Sequence, residues 1–181
     1  GVYFNGETEL GINEYLMQQE KRVEKVNLLE RNDREGSQEL IFSKIELFNK
    51  FDQNVNVVKS GDDIYFKVYF KLSDKYNPST NDFIFRLQIT DVNGDVVATL
   101  NNFHSSQPFS NLNNDFVICK VKRIPFFDGC YDINLQCLLN RVCSDYIENA
   151  FPFNIETGDF YNTGKTPGVK KGILLDHKWE N

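Results

Sequence analysis

Apolar residues recur at every second position over several stretches of this chain, the spacing of strands that bury one face. Ile64, Phe66, Val68, Phe70 and Leu72 alternate with Tyr65, Lys67, Tyr69 and Lys71. Phe83, Phe85, Leu87 and Ile89 set Arg86, Gln88 and Thr90 on the opposite face. Tyr131, Ile133, Leu135, Cys137 and Leu139 do the same for Asp132, Asn134 and Gln136, and Phe151, Phe153 and Ile155 leave Asn154 outside. Seven runs are predicted as strands: 41–49, 63–73, 83–91, 96–100, 115–124, 130–139 and 150–156. Turn chemistry separates them, with Lys59-Ser-Gly-Asp62 before the second, Asn93-Gly94 between the third and fourth, and Phe127-Asp-Gly129 before the sixth. Seven short strands with no helical period between them predict an all-β, immunoglobulin-like β-sandwich. In that order the runs 83–91, 130–139 and 150–156 are neighbours in one sheet.

The flanks read differently. Leu10, Tyr15, Leu16, Val23, Val26 and Leu29 recur at roughly helical spacing, which predicts helix from Glu7 to about Arg34. Three parts follow: a helical segment over 1–37, the sandwich over 38–156, and a Gly- and Lys-containing arm over 157–181 that ends in the apolar run Gly172–Trp179. Gly158 to Thr166 imitates a phosphate-binding P-loop, but five residues rather than four separate Gly158 from Gly164. Pro167 and Gly168 then stand where a P-loop needs a helix N-terminus, so no nucleotide site is expected there.

Charge and chemistry narrow the function classes. The formal charge of −6 argues against a nucleic-acid partner. No run of eighteen apolar residues occurs, and the first residues lack the basic and apolar regions of a signal peptide. Cys119, Cys130, Cys137 and Cys143 form no C-x-x-C pair, and His104 and His177 lie far apart, so neither zinc nor any other cofactor is expected. The thiols read as small apolar groups of a cytoplasmic protein. Gly-x-Ser-x-Gly and His-Glu-x-x-His are both missing, and Asp176 and His177 point apart on an extended strand. No catalytic activity is expected.

What remains is a face. Arg86, Gln88, Thr90, Asp132, Asn134, Gln136 and Asn154 share the outer side of the three neighbouring strands. Amides and charges of both signs can form paired hydrogen bonds with vicinal hydroxyls, and Tyr146 or Tyr161 can offer a flat ring to a sugar. A solvated sheet face also alternates polar residues without any ligand. The competing face carries Tyr65 and Tyr69, with Lys67, Lys71, Lys44 and Glu46 placed for cross-strand ion pairing.

These residues carry a resemblance. Val2-Tyr3-Phe4-Asn5-Gly6 with Ile12 and Tyr15 resembles the end of an ABC ATPase domain. Ser60-Gly61-Asp62 before an alternating strand, Phe83-x-Phe-x-Leu-x-Ile-x-Asp91 before Asn93-Gly94, Phe127-Asp-Gly-Cys-Tyr131, Phe151-x-Phe153, Asp159-Phe-Tyr161 and Leu174-Leu-Asp-His-Lys-Trp179 then follow in order. Together they resemble the C-terminal carbohydrate-binding domain of the ATP-binding subunit (Wzt) of O-antigen polysaccharide ABC transporters, over nearly the whole chain. The resemblance implies a noncatalytic module that binds the capped terminus of a lipid-linked polysaccharide. It further implies a cytoplasmic place beside the inner membrane, a transmembrane transporter subunit as partner, and a homodimer that exchanges the C-terminal strand. The family's nucleotide-binding domain would end near Tyr15. Its sugar-binding residues vary, so Arg86, Gln88, Asp132, Asn134, Gln136, Asn154 and Tyr146 rest on strand parity alone. An immunoglobulin-like protein–protein interaction module and a secreted surface sandwich fit the same pattern.

Overall fold

The alternating runs pair into two facing sheets in the computed structural model, which describes residues 27–77, 82–168 and 172–180. One sheet holds β1 (Leu40–Asn49), β3 (Ile64–Leu72) and β6 (Phe116–Val121), in the order β1-β3-β6. The other holds β2 (Val57–Lys59), β4 (Phe83–Thr90), β5 (Val96–Asn101), β7 (Gly129–Leu139) and β8 (Val142–Glu156), in the order β2-β8-β7-β4-β5. Every pairing is antiparallel except that of β2 with β8. The three runs expected side by side are neighbours, as β4, β7 and β8. Their inner faces meet those of β3 across a phenylalanine-rich core: Phe66 meets the edge of Phe153 at 5.6 Å, and Phe70 lies 5.6 Å from Phe85. Burying each such ring contributes roughly 1.5–3 kcal/mol, the main force holding the sheets together.

Two elements escape the alternation rule. β8 begins at Val142 rather than Ala150, because Asn140 and Arg141 close a two-residue hairpin with φ of 46° and 67°. Polar Ser144 and Asp145 occupy inward positions on its first half, so the apolar period is missing there. The short β2 lies parallel to the far end of β8, with Val58 opposite Ile155.

The helix expected over 7–34 lies outside the described residues up to 26. From Asn27 onward it is replaced by one 3₁₀ turn, Leu28–Glu30, capped by the Asn27 side chain on the Leu29 N–H. Arg31 is already extended, with ψ of 127°. Residues 35–38 then run along the edge of β8, where Glu35 and Tyr146 exchange backbone hydrogen bonds and Gln38 donates to the Ser144 carbonyl. From there the chain crosses to β1 in the other sheet.

That crossing closes one seam of the sandwich. Asp145 accepts from the Phe42 N–H of β1 and from Arg34, each at 2.7 Å, and Ser144 accepts from the Leu40 N–H. Arg34 also donates to the Leu28 carbonyl. The opposite seam runs between β5 and β6, each of which pairs on one side only among the described residues.

Candidate functional site

Register places the polar residues of the five-stranded sheet in rows across its outer face. One row runs Tyr146, Gln136, Arg86, Asn101 from β8 through β7 and β4 to β5. The next brings Asn134 of β7, Gln88 of β4 and Thr99 of β5 into line. Asp132 and Thr90 form a third, opposite Pro152. Asn154 pairs with Cys130, six residues along β7 from Gln136 and hence about 20 Å away. The sheet therefore gathers Arg86, Gln88, Gln136 and Tyr146, holds Asp132 beside them, and leaves Asn154 at the far end.

Parity was a better guide to facing than to exposure. Thr90 is buried, with its hydroxyl 3.4 Å from the Asp132 carbonyl. Asn134 is buried as well, which corrects its expected place among the exposed ligand groups. A bulge in β8 leaves the Asn149 N–H without a ladder partner, and the Asn134 side-chain oxygen accepts it at 2.8 Å. Asn134 fastens the sheet through that bond.

The first row has an ordered geometry. Arg86 donates to the Gln136 side-chain oxygen at 2.7 Å, which fixes a half-buried guanidinium in the middle of the face. The Gln136 amide nitrogen points at Cys143. Tyr146 donates to Glu148 at 2.9 Å, and burial together with that carboxylate pushes its phenol up to about 12, so it stays a neutral donor. The other expected aromatic, Tyr161, lies in the C-terminal arm, packed with Phe160 and donating to the Leu175 carbonyl.

A second feature adjoins this face. A cleft of about 710 Å³ opens between the free edges of β5 and β6. Phe85, Leu87, Leu100, Phe109 and Val117 form its floor, while Thr99, Asn101, Ser105 and Gln107 stand among its polar lining. Cys119 lines it too, its thiol pushed up to about 11 by burial, and Lys120 and His104 add a cation and an imidazole to the lining. Alternation gives no sign of this cleft, because it arises where two strand edges face each other with no strand pairing them among the described residues.

The competing face, on the three-stranded sheet, is occupied by its own side chains. Lys67 lies 4.0 Å above the Phe116 ring and 4.9 Å from Tyr69. The ion pair expected across strands lies within β1 instead, between Lys44 and Glu46 at 2.6 Å, and Tyr69 donates to Glu46.

The loop that imitates a P-loop is closed by its own carboxylate. Asp159 accepts from the Thr163 and Gly164 N–H groups, so those donors already hold an anion. The arm then returns to its own sandwich, where Leu174 donates to the Pro125 carbonyl at 2.7 Å and packs with Phe127 and Phe160. All four cysteines are free, and the described residues contain no metal-competent cluster of three or more His, Cys, Asp or Glu.

Fold and face together define an all-β sandwich module. The Wzt C-terminal domain family matches residues 31–167, and the chain belongs to that family. The crystal structure of the C-terminal domain of Wzt superposes with a TM-score of 0.60 at 11% identity, covering 83% of this chain and 90% of that one. No curated protein sequence matches the chain.

Proposed function

We propose that this domain is a noncatalytic carbohydrate-binding module that recognises the terminus of a lipid-linked O-antigen or similar polysaccharide for export by an ABC transporter. The row Tyr146–Gln136–Arg86–Asn101 carries the reading, with membership of the Wzt C-terminal domain family behind it. A phenol, two amides and a guanidinium in line offer donors and acceptors at the spacing of neighbouring strands, about 4.8 Å, comparable to the reach of one sugar ring. Gln88 and Asp132 flank the row. The module works in the cytoplasm beside the inner membrane, as a homodimer attached to the transporter's transmembrane subunit.

Calorimetric titration with surface polysaccharide from the source organism tests the assignment. Arg86→Ala and Gln136→Ala should each raise Kd roughly tenfold. Both should keep stability within about 1 kcal/mol. Normal binding by both variants, with loss in Tyr65→Ala or Tyr69→Ala, would move the site to the three-stranded sheet. Sedimentation of the free chain as a monomer at high concentration would remove the homodimer.

A further inference from the structure

We infer that two copies of this chain pair through the outer edge of β5, antiparallel about a twofold axis, so that their five-stranded sheets join into one. This rests on the homodimer reading above and names the surface that makes the dimer.

The outer edges of the two sheets are protected unequally. An edge strand offers unpaired backbone groups to other strands, and proteins blunt such edges with charge or by keeping them short. β1 carries Lys44 and Glu46 and β6 carries Lys120, while β2 is three residues long and ends in Lys59. β5 has neither device. No Lys, Arg, Asp or Glu occurs from Val96 to Asn114, and Val96 and Val97 are 50% and 36% exposed. Among the described residues β5 pairs with β4 alone. The Asn102 N–H donates to the Phe85 carbonyl and Leu100 lies opposite Leu87. By the alternation of an antiparallel ladder, Thr99 between them turns its backbone N–H and C=O away from β4.

Charge selects a second copy of the same strand as the occupant. Two chains of −6 repel each other except where their surfaces are neutral or complementary. The β5 edge is neutral along its length and oppositely charged at its ends. Exposed Asp95 stands at its start, and beyond its end Arg141 lies 4.1 Å over the Phe103 ring. Antiparallel pairing centred on Thr99 sets position 95 of one copy opposite position 103 of the other. Asp95 then approaches Arg141 twice, once on each side of the axis, as an isologous contact requires. Parallel pairing would set Asp95 against Asp95. The cation of β6, Lys120, lies across the cleft, 5.6 Å over the Tyr65 ring.

The arrangement bears on the ligand face. An axis normal to the sheet keeps both outer faces on one side. The row Asn134–Gln88–Thr99 then runs on into the same row of the second copy, so one polysaccharide can lie across both.

Sedimentation velocity of the 181-residue chain, with urea unfolding of each variant as the control for folding, tests the pairing. Thr99→Pro removes the donor that faces the second copy, at an edge position where proline is tolerated. It should raise the dimer Kd roughly tenfold or more. Arg141→Glu should weaken the dimer by a similar factor, and adding Asp95→Lys should restore it, a rescue that a merely local role for Arg141 does not produce. The charge pair keeps the test decisive if Thr99→Pro disturbs folding. An unchanged dimer in Arg141→Glu and in a folded Thr99→Pro overturns the inference and leaves the homodimer standing on another surface. A monomer in the unaltered chain at high concentration overturns both.

Discussion

Along the seam between β1 and β8, Ser144 and Asp145 join the two sheets by accepting from the Leu40 and Phe42 N–H groups, and Arg34 donates to the Asp145 side chain. Along the seam between β5 and β6, the half-buried side chains of Leu100, Val117 and Cys119 face one another across a cleft. Both seams pose the same difficulty, because the edge strand of a sandwich has backbone groups and apolar side chains with no neighbour. The first is closed by a strap from earlier in the chain, whose Arg34 meets Asp145 inside. The second holds a cleft lined by apolar side chains, with no strand pairing β5 to β6 among the described residues. Buried hydrogen bonds join the sheets at one side of this domain, and a cleft lies at the other.

The largest effect should come from Asp145→Ala. It strands the Arg34 guanidinium, whose side chain is only 7% exposed, and removes the acceptor of the Phe42 N–H. Breaking one partner of such a buried pair costs about 3–5 kcal/mol, to be read from urea unfolding. A loss below about 1 kcal/mol would mean that the clasp does not close the seam. Next, Ser144→Ala takes the acceptor from the Leu40 N–H and the donor from the Leu40 carbonyl, and should cost about 1–2 kcal/mol. On the open seam, Val97→Lys should change stability by less than about 0.5 kcal/mol, since Val97 is exposed on an edge strand. The added charge should reduce self-association by light scattering, and a large loss of stability would show that this edge is covered after all.

The smallest expected effect concerns the strap. The Arg31 guanidinium, hydrogen-bonded at both ends of a fork, holds the Asp33 carboxyl at about 2, below its ordinary 3.8. A depressed carboxylate adds stability above its ordinary value and loses it as pH falls from 3.8 towards about 2. Asp33→Asn should abolish that part of the acid-unfolding slope. NMR titration of Asp33 near 3.8 would show that the fork does not form.

The period-2 alternation made β3, β4 and β7 legible, because each presents one face to a shared core and one outward. The neighbouring order of β4, β7 and β8 followed from it. The first half of β8 was not legible: Asp145 faces inward only because Arg34 meets it from 111 residues upstream, a partner that local pattern cannot reveal. Asn134 was correctly faced and wrongly exposed, since the bulge that recruits it forms on another strand. Asn134→Ala is accordingly expected to lower stability by about 1–3 kcal/mol, through the orphaned Asn149 N–H, before it touches any ligand. The cleft was beyond reach for a further reason. It is a property of which strands lack neighbours, and topology rather than composition decides that.

The strap also fixes where a pull on this domain is felt. Arg31 grips the Glu148 and Asn149 carbonyls, and Arg34 grips Asp145, so the chain entering at Asn27 is moored to β8 and, through Phe42, to β1. A tug or twist delivered through Asn27 thus loads both sheets at once, in shear, along the side facing away from the cleft. The domain can be towed by its mooring without the line crossing its mouth.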